Sequence, residues 1–519
     1  MAKQTYQQEP PVSPTAEEMK KNRDVAQEAS PLAFPYENDK QRLNDYTYYE
    51  KLFMGQHYDA FRIRIDNAAY GEVYNQLRYV KTNFAGLVSK VVADMLFSEP
   101  VSVTVEDGHQ EFIDALIYTN KLDVQLYESA LANSYMGDAL FKVRIGKRHP
   151  SNPKDKATVI IEDISPTIYF PDVDQFNVRQ DPEKKELAWT FKRGDKQYLR
   201  KEIHYSGKIE NKVYEMQDGK ISVEVGLDIL GIPNLLPVVE TKVEDSLLIH
   251  VPNWKTGRRY WGISDYYDLD SLFYAINNRL TKTDNILDKH SDPILAVPEG
   301  ILDEKGQVKK AKLGMVEIPA GVGQEGKPEY IVWNASLDNA FKEIEKLVEM
   351  FFMISETSPD ILGMGQGQAE SGRALKLKLL RTIAKVARKK LYYDYAIREV
   401  IYTAQKLAKA WGVDVDGIKL KGEPVYPDIE WADGLPIDIS EQIEHETAAI
   451  DAGITSRTDA IMRVYGYDEE AAEKKAKEIK DEKAIAMPTP LAGNNPFKKD
   501  ATSMPMDKKE MPAGKKVEE

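Results

Sequence analysis

The residues best suited to chemistry lie in "GMGQGQAESGRALK", positions 363 to 376, where four glycines fall within ten residues and lead into a run of bases. Gly367 to Gly372 has the spacing of a phosphate-binding loop, and "GVGQEGKP" at 321 to 328 repeats it with Gly321, Gly326 and Lys327. A phosphate cradle needs Lys followed by Ser or Thr, on a turn between a buried strand and a helix N-terminus. The first copy has Arg373 and Ala374 in those places. The second has Pro328 after its lysine, and then the strand-like "EYIVW". Neither copy can bind a nucleotide in that way. The histidines, His57, His109, His149, His204, His250, His290 and His445, show no metal-ligand spacing. No Ser-His-Asp or paired-carboxylate arrangement emerges either, so the expectation is no catalysis, no cofactor and no metal.

The remaining chemistry is charge. Arg373, Lys376, Lys378, Arg381, Lys385, Arg388, Lys389 and Lys390 form a basic run with no acid among them. At 100° per residue, Lys378, Arg381, Lys385, Arg388 and Lys389 fall on one side of a helix. Leu379, Leu380, Ile383, Val386, Ala387 and Leu391 fall on the other. Such a basic face could meet DNA or the acidic face of a neighbouring subunit. The chain as a whole carries a net charge of -14, which argues against general attraction to nucleic acid.

The elements that would hold these residues follow from periodicity. The 519 residues, 42% of them hydrophobic, suffice for several domains. There is no cysteine, which fits a reducing cytoplasm, and no run approaches the roughly 18 apolar residues of a membrane span. The absence of an apolar leader adds to the expectation of a soluble protein. Residues 1–36 and 487–519 have the polar, Pro-containing composition of disordered arms. Leu77, Val80, Phe84, Leu87, Val88, Val91 and Met95 recur at helical spacing. "SEPVSVTV" reads as a strand, a helix is expected near 123 to 136, and "DALFKVRI" and "ATVIIEDI" read as strands. Short strands and turns continue to about 250.

From Ile263 to about Lys289, Leu269, Leu272, Phe273, Ile276, Leu280 and Leu287 form one stripe, with Asp265, Asp268, Asp270, Asp284 and Asp288 on the remainder. A β-rich insert follows. Leu337, Phe341, Ile344, Val348 and Phe351 then make a heptad-like seam for packing on another helix. A long helix is expected over Gly372 to Ala410, then a strand ending in "DIEWADGLP", and a helical region from 438 in which Thr455 or Ser456 is an N-cap.

Four stretches together resemble the portal proteins of tailed bacteriophages, in the branch common in phages of Gram-positive bacteria. They are "YYEKLFMGQH", "VPNWKTGRRYWGISDYYDLDSLFYAINNRLTKTDNILDKHSDPILAVP", "SETSPDILGMGQGQAESGRALK" and "DAGITSRTDAIMRVYG". The second is the most specific: an Asn-containing loop, then Gly-Ile-Ser-Asp, then a long helix ending in His-x-x-Pro. The resemblance covers about residues 40 to 485.

It implies an α+β portal fold with a mixed α/β wing at 37–250 and a first stem helix with its approach at 251–290. A small β-rich clip at 291–334, a second stem helix at 335–354 and a tunnel loop at 355–371 follow. The long basic wing helix with its strand occupies 372–437, and a helical crown 438–486. It also implies a homododecameric ring at one capsid vertex of the virion, assembled in the host bacterial cytoplasm, through which double-stranded DNA is packaged and ejected. The partners implied are the terminase large subunit, a head-tail connector, and the major capsid and scaffolding proteins, with no membrane.

On this resemblance Ser358, Pro359, Asp360, Gly363, Met364, Gly365, Gln366, Gly367 and Gln368 would form the loop in the channel. Glycine lets such a loop take unusual dihedrals, and the two glutamines could hydrogen-bond to phosphate without holding it by charge. Arg373, Lys376, Lys378, Arg381, Lys385, Arg388 and Lys389 would be the DNA or inter-subunit contacts. Asp265, Asp268, Asp284, Asp288, Phe341, Ile344, Val348 and Phe351 would belong to the stem. A duplex carries one charge per ~1.7 Å, so an acidic channel would let it slide where a basic one would hold it. The alternatives are a head or tail scaffold protein without a channel and, with the broken phosphate motifs against it, a nucleotide-hydrolysing motor subunit.

Overall fold

The computed structural model describes residues 33–64, 79–105, 108–149, 151–152, 154–232, 235–291, 294–298, 315–318, 329–331, 337–364, 372–432 and 439–486. The chain divides into two compact units, Met1–Leu435 and Pro436–Glu519.

The first unit opens with α1 (Lys40–Phe53) and α2 (His57–Arg64), then α3 (Phe84–Phe97), β1 (Ser102–Thr104), α4 (Gln110–Asn120) and α5 (Leu122–Met136). β2 (Asp138–Gly146) and β3 (Thr158–Ile164) form a hairpin, followed by β4 (Tyr169–Pro171), β5 (Lys185–Arg193), β6 (Lys196–Tyr205), β7 (Lys208–Gln217), β8 (Lys220–Val225), β9 (Val238–Glu240) and β10 (Leu248–Pro252). Then come α6 (Asp270–Ser291), β11 (Ile294–Pro298), β12 (Met315–Ile318), β13 (Glu329–Ile331), α7 (Asp338–Ile354), α8 (Gly372–Lys378), α9 (Leu380–Trp411) and β14 (Asp428–Glu430). The second unit holds α10 (Ile439–Asp451), α11 (Arg457–Tyr465) and α12 (Glu469–Ala486).

The main core forms where α3, α4, α5 and α9 pack with the antiparallel sheet β10–β2–β3. β2 is central, and its Ala139, Phe141 and Val143 alternate into that core, as the pattern of "DALFKVRI" predicts. The larger sheet runs β4–β5–β6–β7–β8, with β9 also on β7. Its hairpins are set by turn chemistry: Asp218 and Gly219, between β7 and β8, both have positive φ, as a type I′ turn requires. A second core joins α1, α2 and α3 to the bases of α6 and α7 through Tyr49, Leu52, Phe61, Val88, Phe273 and Phe351. The insert between α6 and α7 is a three-stranded sheet, with β12 parallel and β13 antiparallel to β11.

Five expectations are corrected. Residues 33–36, expected in a disordered arm, are packed on the body: the Phe34 N–H donates to the Gly219 carbonyl (3.0 Å), and Phe34 and Tyr36 pack on Phe170. The rest of the N-terminal arm, and residues 487–519, lie outside the described residues. α3 starts at Phe84 because the Asn83 side chain caps it, accepting from the Gly86 N–H (3.0 Å), so Val80 precedes the helix. α4, with Phe112, Ile113 and Leu116 buried, lies in a segment where no helix was expected. α6 begins at Asp270, not Ile263, because Asp265 is drawn into the body. The helix expected from Gly372 is interrupted at Leu379, between α8 and α9.

In the second unit Ser456, rather than Thr455, caps α11. Its side chain accepts from the Asp459 N–H while the Asp459 carboxylate accepts from the Ser456 N–H, a capping box. α11 packs on α12, and Arg463 pairs with Glu446 of α10.

Candidate functional site at the root of the helix pair

α6 and α7 run antiparallel: Phe273 meets Phe351 near the body (5.9 Å between rings), and Arg279 Nε donates to Glu343 Oε1 (2.8 Å) farther out. Phe351 is fully buried and also lies against Phe84 (4.8 Å). Val348 and Ile344 are half-buried, while Phe341 is 45% exposed, so the seam closes at the body and opens toward the insert. Of the acids, Asp268 and Asp288 are exposed and Asp284 is half-buried.

Asp265 is different. Its side chain is 2% exposed and sits where four parts of the chain meet. Ser134, near the end of α5, donates to Oδ2 (2.6 Å), and Asn253, just after β10, donates to Oδ1 (3.1 Å). From α9, Lys389 donates to Oδ2 (2.8 Å), and the Lys385 ammonium lies 3.5 Å from Oδ1. Lys385 also donates to the Ser355 carbonyl (3.0 Å), and Lys389 to Asn253 Oδ1. Burial alone would raise the Asp265 pKa, but the two ammonium groups and the hydrogen bonds from Lys389 and Ser134 hold it far below the usual carboxylate range. Burial, aided by the like charge of Lys385, pushes Lys389 down to about 8 against the pull of Asp265. Both remain charged at neutral pH.

A second carboxylate braces the same place. Asp138, at the start of β2, accepts from the Tyr46 hydroxyl (2.5 Å), the Gly262 N–H (2.8 Å) and His250 Nε2 (2.7 Å). Gly262 passes so close to the end of α5 that a Cβ there would come within 1.9 Å of the Gly137 carbonyl oxygen. The distinctive motif of residues 251–298 thus folds its Asn253, Gly262, Ser264 and Asp265 onto one joint, which carries the chain from the body into α6.

The basic face expected on the long helix is therefore not a face. Lys385 and Lys389 are buried, whereas Leu380 (58% exposed), Ala387 and Leu391 (74%), assigned to the apolar side, point outward. The buried stripe runs Leu379, Thr382, Val386, Lys389, Tyr393 and Ile397 at steps of three and four. Lys385 and Lys389 are instead buried against this chain's own Asp265. The outward bases are also engaged within the chain. Lys378 pairs with Asp360 (3.2 Å), Arg381 with Glu356 (3.0 Å) and Arg388 with the other Glu356 oxygen, and Lys390 donates to the Ala432 carbonyl (2.7 Å). Lys376 is exposed on α8, the helix that also contains Arg373.

Beyond α7, Ser358 accepts from the Asp360 N–H (3.3 Å) at the head of a short turn over Pro359–Leu362, and Gly363 leaves it with φ +69°. Met364 is exposed, while Gly365, Gln366, Gly367 and Gln368 lie outside the described residues. Glu356, Thr382, Ser134 and Asn253 were not foreseen as site residues. Asn253 and Glu356 had a signal, their places in the second and third of the four stretches that carry the resemblance. Among the described residues no group of His, Asp or Glu could hold a metal ion, and no helix is long and apolar enough to cross a membrane.

A search of curated proteins finds no match to the chain. A family model does match, that of the phage portal proteins described as SPP1 Gp6-like, over residues 34–488. The match takes in both cores, the helix pair with its insert, and the Asp265 joint. The chain belongs to the SPP1 Gp6-like family of phage portal proteins.

Proposed function

We propose that this chain forms a homododecameric ring at one capsid vertex, through which double-stranded DNA is packaged and later ejected. The observation that carries this reading is the antiparallel α6–α7 pair, rooted in the body by Phe351 and Asp265 and bearing the β11–β12–β13 sheet at its far end. In this reading α6 and α7 are the stem, and the insert at 291–334 is the clip on which the terminase large subunit and then the head-tail connector dock. Residues 37–250 with α8, α9 and β14 make the wing, and 438–486 the crown. The partly uncovered seam at Phe341 and Ile344 suits helix packing between neighbouring subunits.

The segment from Ser358 to Gln368 is the loop that projects into the channel. Its glycines supply backbone freedom, and Gln366 and Gln368 offer neutral hydrogen-bonding groups to phosphate. Each subunit contributes a formal charge of -14, and Asp268, Asp284 and Asp288 are stem acids able to keep a duplex from being held. The chain performs no reaction, and ATP hydrolysis belongs to the motor. The major capsid and scaffolding proteins hold the ring in the virion.

Electron microscopy and mass photometry of the purified protein test this. Rings of twelve with an open axial hole are expected, and closed oligomers without a hole would overturn it. The loop is tested by Gly363→Pro, which forces a negative φ where the chain needs +69°. That variant should assemble normally and package poorly.

A further inference from the structure

Where a helix of this chain ends in a left-handed residue, that residue is usually glycine: Gly137 after α5, Gly412 after α9 and Gly466 after α11 have φ of +95°, +64° and +68°. Glycine is the unstrained choice there. After α7 the left-handed residue is Glu356, with φ +55°. The hydrogen bonds are those of an ordinary helix end, from the Thr357 N–H to the Phe352 carbonyl (3.2 Å) and from the Glu356 N–H to the Met353 carbonyl (3.4 Å). Nothing in that turn calls for a glutamate. What calls for it is its carboxylate, which receives Arg381 on Oε1 (3.0 Å) and Arg388 on Oε2. The two arginines are seven residues apart, two turns along one side of α9.

We propose that Glu356 is a positioning residue, an ionic latch that fixes the root of the loop after α7 against α9. Thr382 stands between the two arginines and completes the latch. Its hydroxyl donates to the Glu356 carbonyl (3.0 Å) and accepts from the Ser358 N–H (2.8 Å). One turn earlier Lys378 holds Asp360 (3.2 Å), and one turn later Lys385 holds the Ser355 carbonyl (3.0 Å). The end of α8 and the first turns of α9 thus grip residues 355 to 360. Ile361 and Leu362 still pack on the hydrophobic clusters, and Gly363 then turns left-handed with nothing within 4 Å of where a Cβ would stand. This deepens the portal reading and rests on it only for the loop's role. The root of the loop thus extends past the end of α7, and the basic side of α8 and α9 serves this chain's own loop root.

The latch is tested by hydrogen exchange on the full-length protein, comparing the wild type with Glu356→Gln, Glu356→Gly and Glu356→Asp. The Gln variant keeps the strained turn and removes the charge, and the Gly variant relieves the strain and also removes the charge. Both should raise exchange at the Ser358, Ile361 and Gly363 amides on the order of tenfold, since these report local opening. Amides of α9 from Val386 to Ala408 should be unaffected. High salt should raise wild-type exchange in the same segment, because the Arg381 and Arg388 side chains are 77% and 51% exposed. The Asp variant should fall between. Unchanged exchange in the Gln variant, slower exchange in the Gly variant, or a rise spread through α9 would each overturn the proposal. Exchange is read on the protein alone, so it stands or falls separately from ring microscopy and DNA packaging, which test the portal reading.

Discussion

Asp265 shows how one residue can decide a joint. Two lysines from α9 converge on it, and its removal leaves two buried ammonium groups facing each other without a counter-charge. Stripping one partner from a buried ion pair typically costs 3–5 kcal/mol, so Asp265→Asn should lose about that much in chemical denaturation. Lys389→Met should cost less, because it leaves one carboxylate facing one ammonium. The pH dependence has a definite sign. The folded-state pKa of Asp265 is depressed, so its contribution is present above the unfolded value and fades as pH falls below about 4. The gap between wild type and Asp265→Asn should therefore narrow in acid. Lys389 works in the opposite range. With a folded pKa of about 8, below the ordinary lysine value of 10.5, it opposes folding while protonated, and stability from this group rises as pH passes from 8 to 10.5. Lys389→Met should abolish that alkaline gain, which thermal melts across the range would reveal.

At the scale of elements, what was legible depended on whether a pattern was local. The alternation of "DALFKVRI" announced β2, and the heptad seam announced α7, because each follows from the side chains' own polarity. The phase of α9 was not legible in its first turns. Its buried stripe contains Thr382 and Lys389, whose partners Ser358 and Asp265 come from segments 24 and 124 residues away in sequence. Hydrophobicity therefore put Leu380 and Leu391 on the wrong side. The start of α6 was misjudged for the same reason, since the pull of Asp265 into the body leaves no mark in local periodicity. The joint nevertheless makes a prediction at this scale. Gly262→Ala would drive a Cβ into the Gly137 carbonyl, and overpacking of this kind typically costs 1–3 kcal/mol. The variant should melt lower by calorimetry. By contrast, Ser456→Ala removes the cap of α11, should cost about 1 kcal/mol, and should be felt within the second unit alone.

For the whole molecule, the question is which unit carries assembly. Among the described residues, the four hydrophobic clusters of the first unit are built from side chains between Phe34 and Trp431. The large apolar side chains left exposed along the helix pair and α9 are also in that unit: Phe341 at 45%, Met353 at 75%, Leu391 at 74% and Tyr395 at 65%. Exposed apolar side chains on neighbouring elements are what a subunit interface would cover. A chain ending at Leu435 is therefore expected to keep its main thermal transition within a few degrees of the full-length protein and to form rings of the same subunit number by mass photometry. Folded monomers from that truncation would move the determinant of assembly to the second unit. Loss of the main transition would mean instead that the first unit depends on the second for its stability.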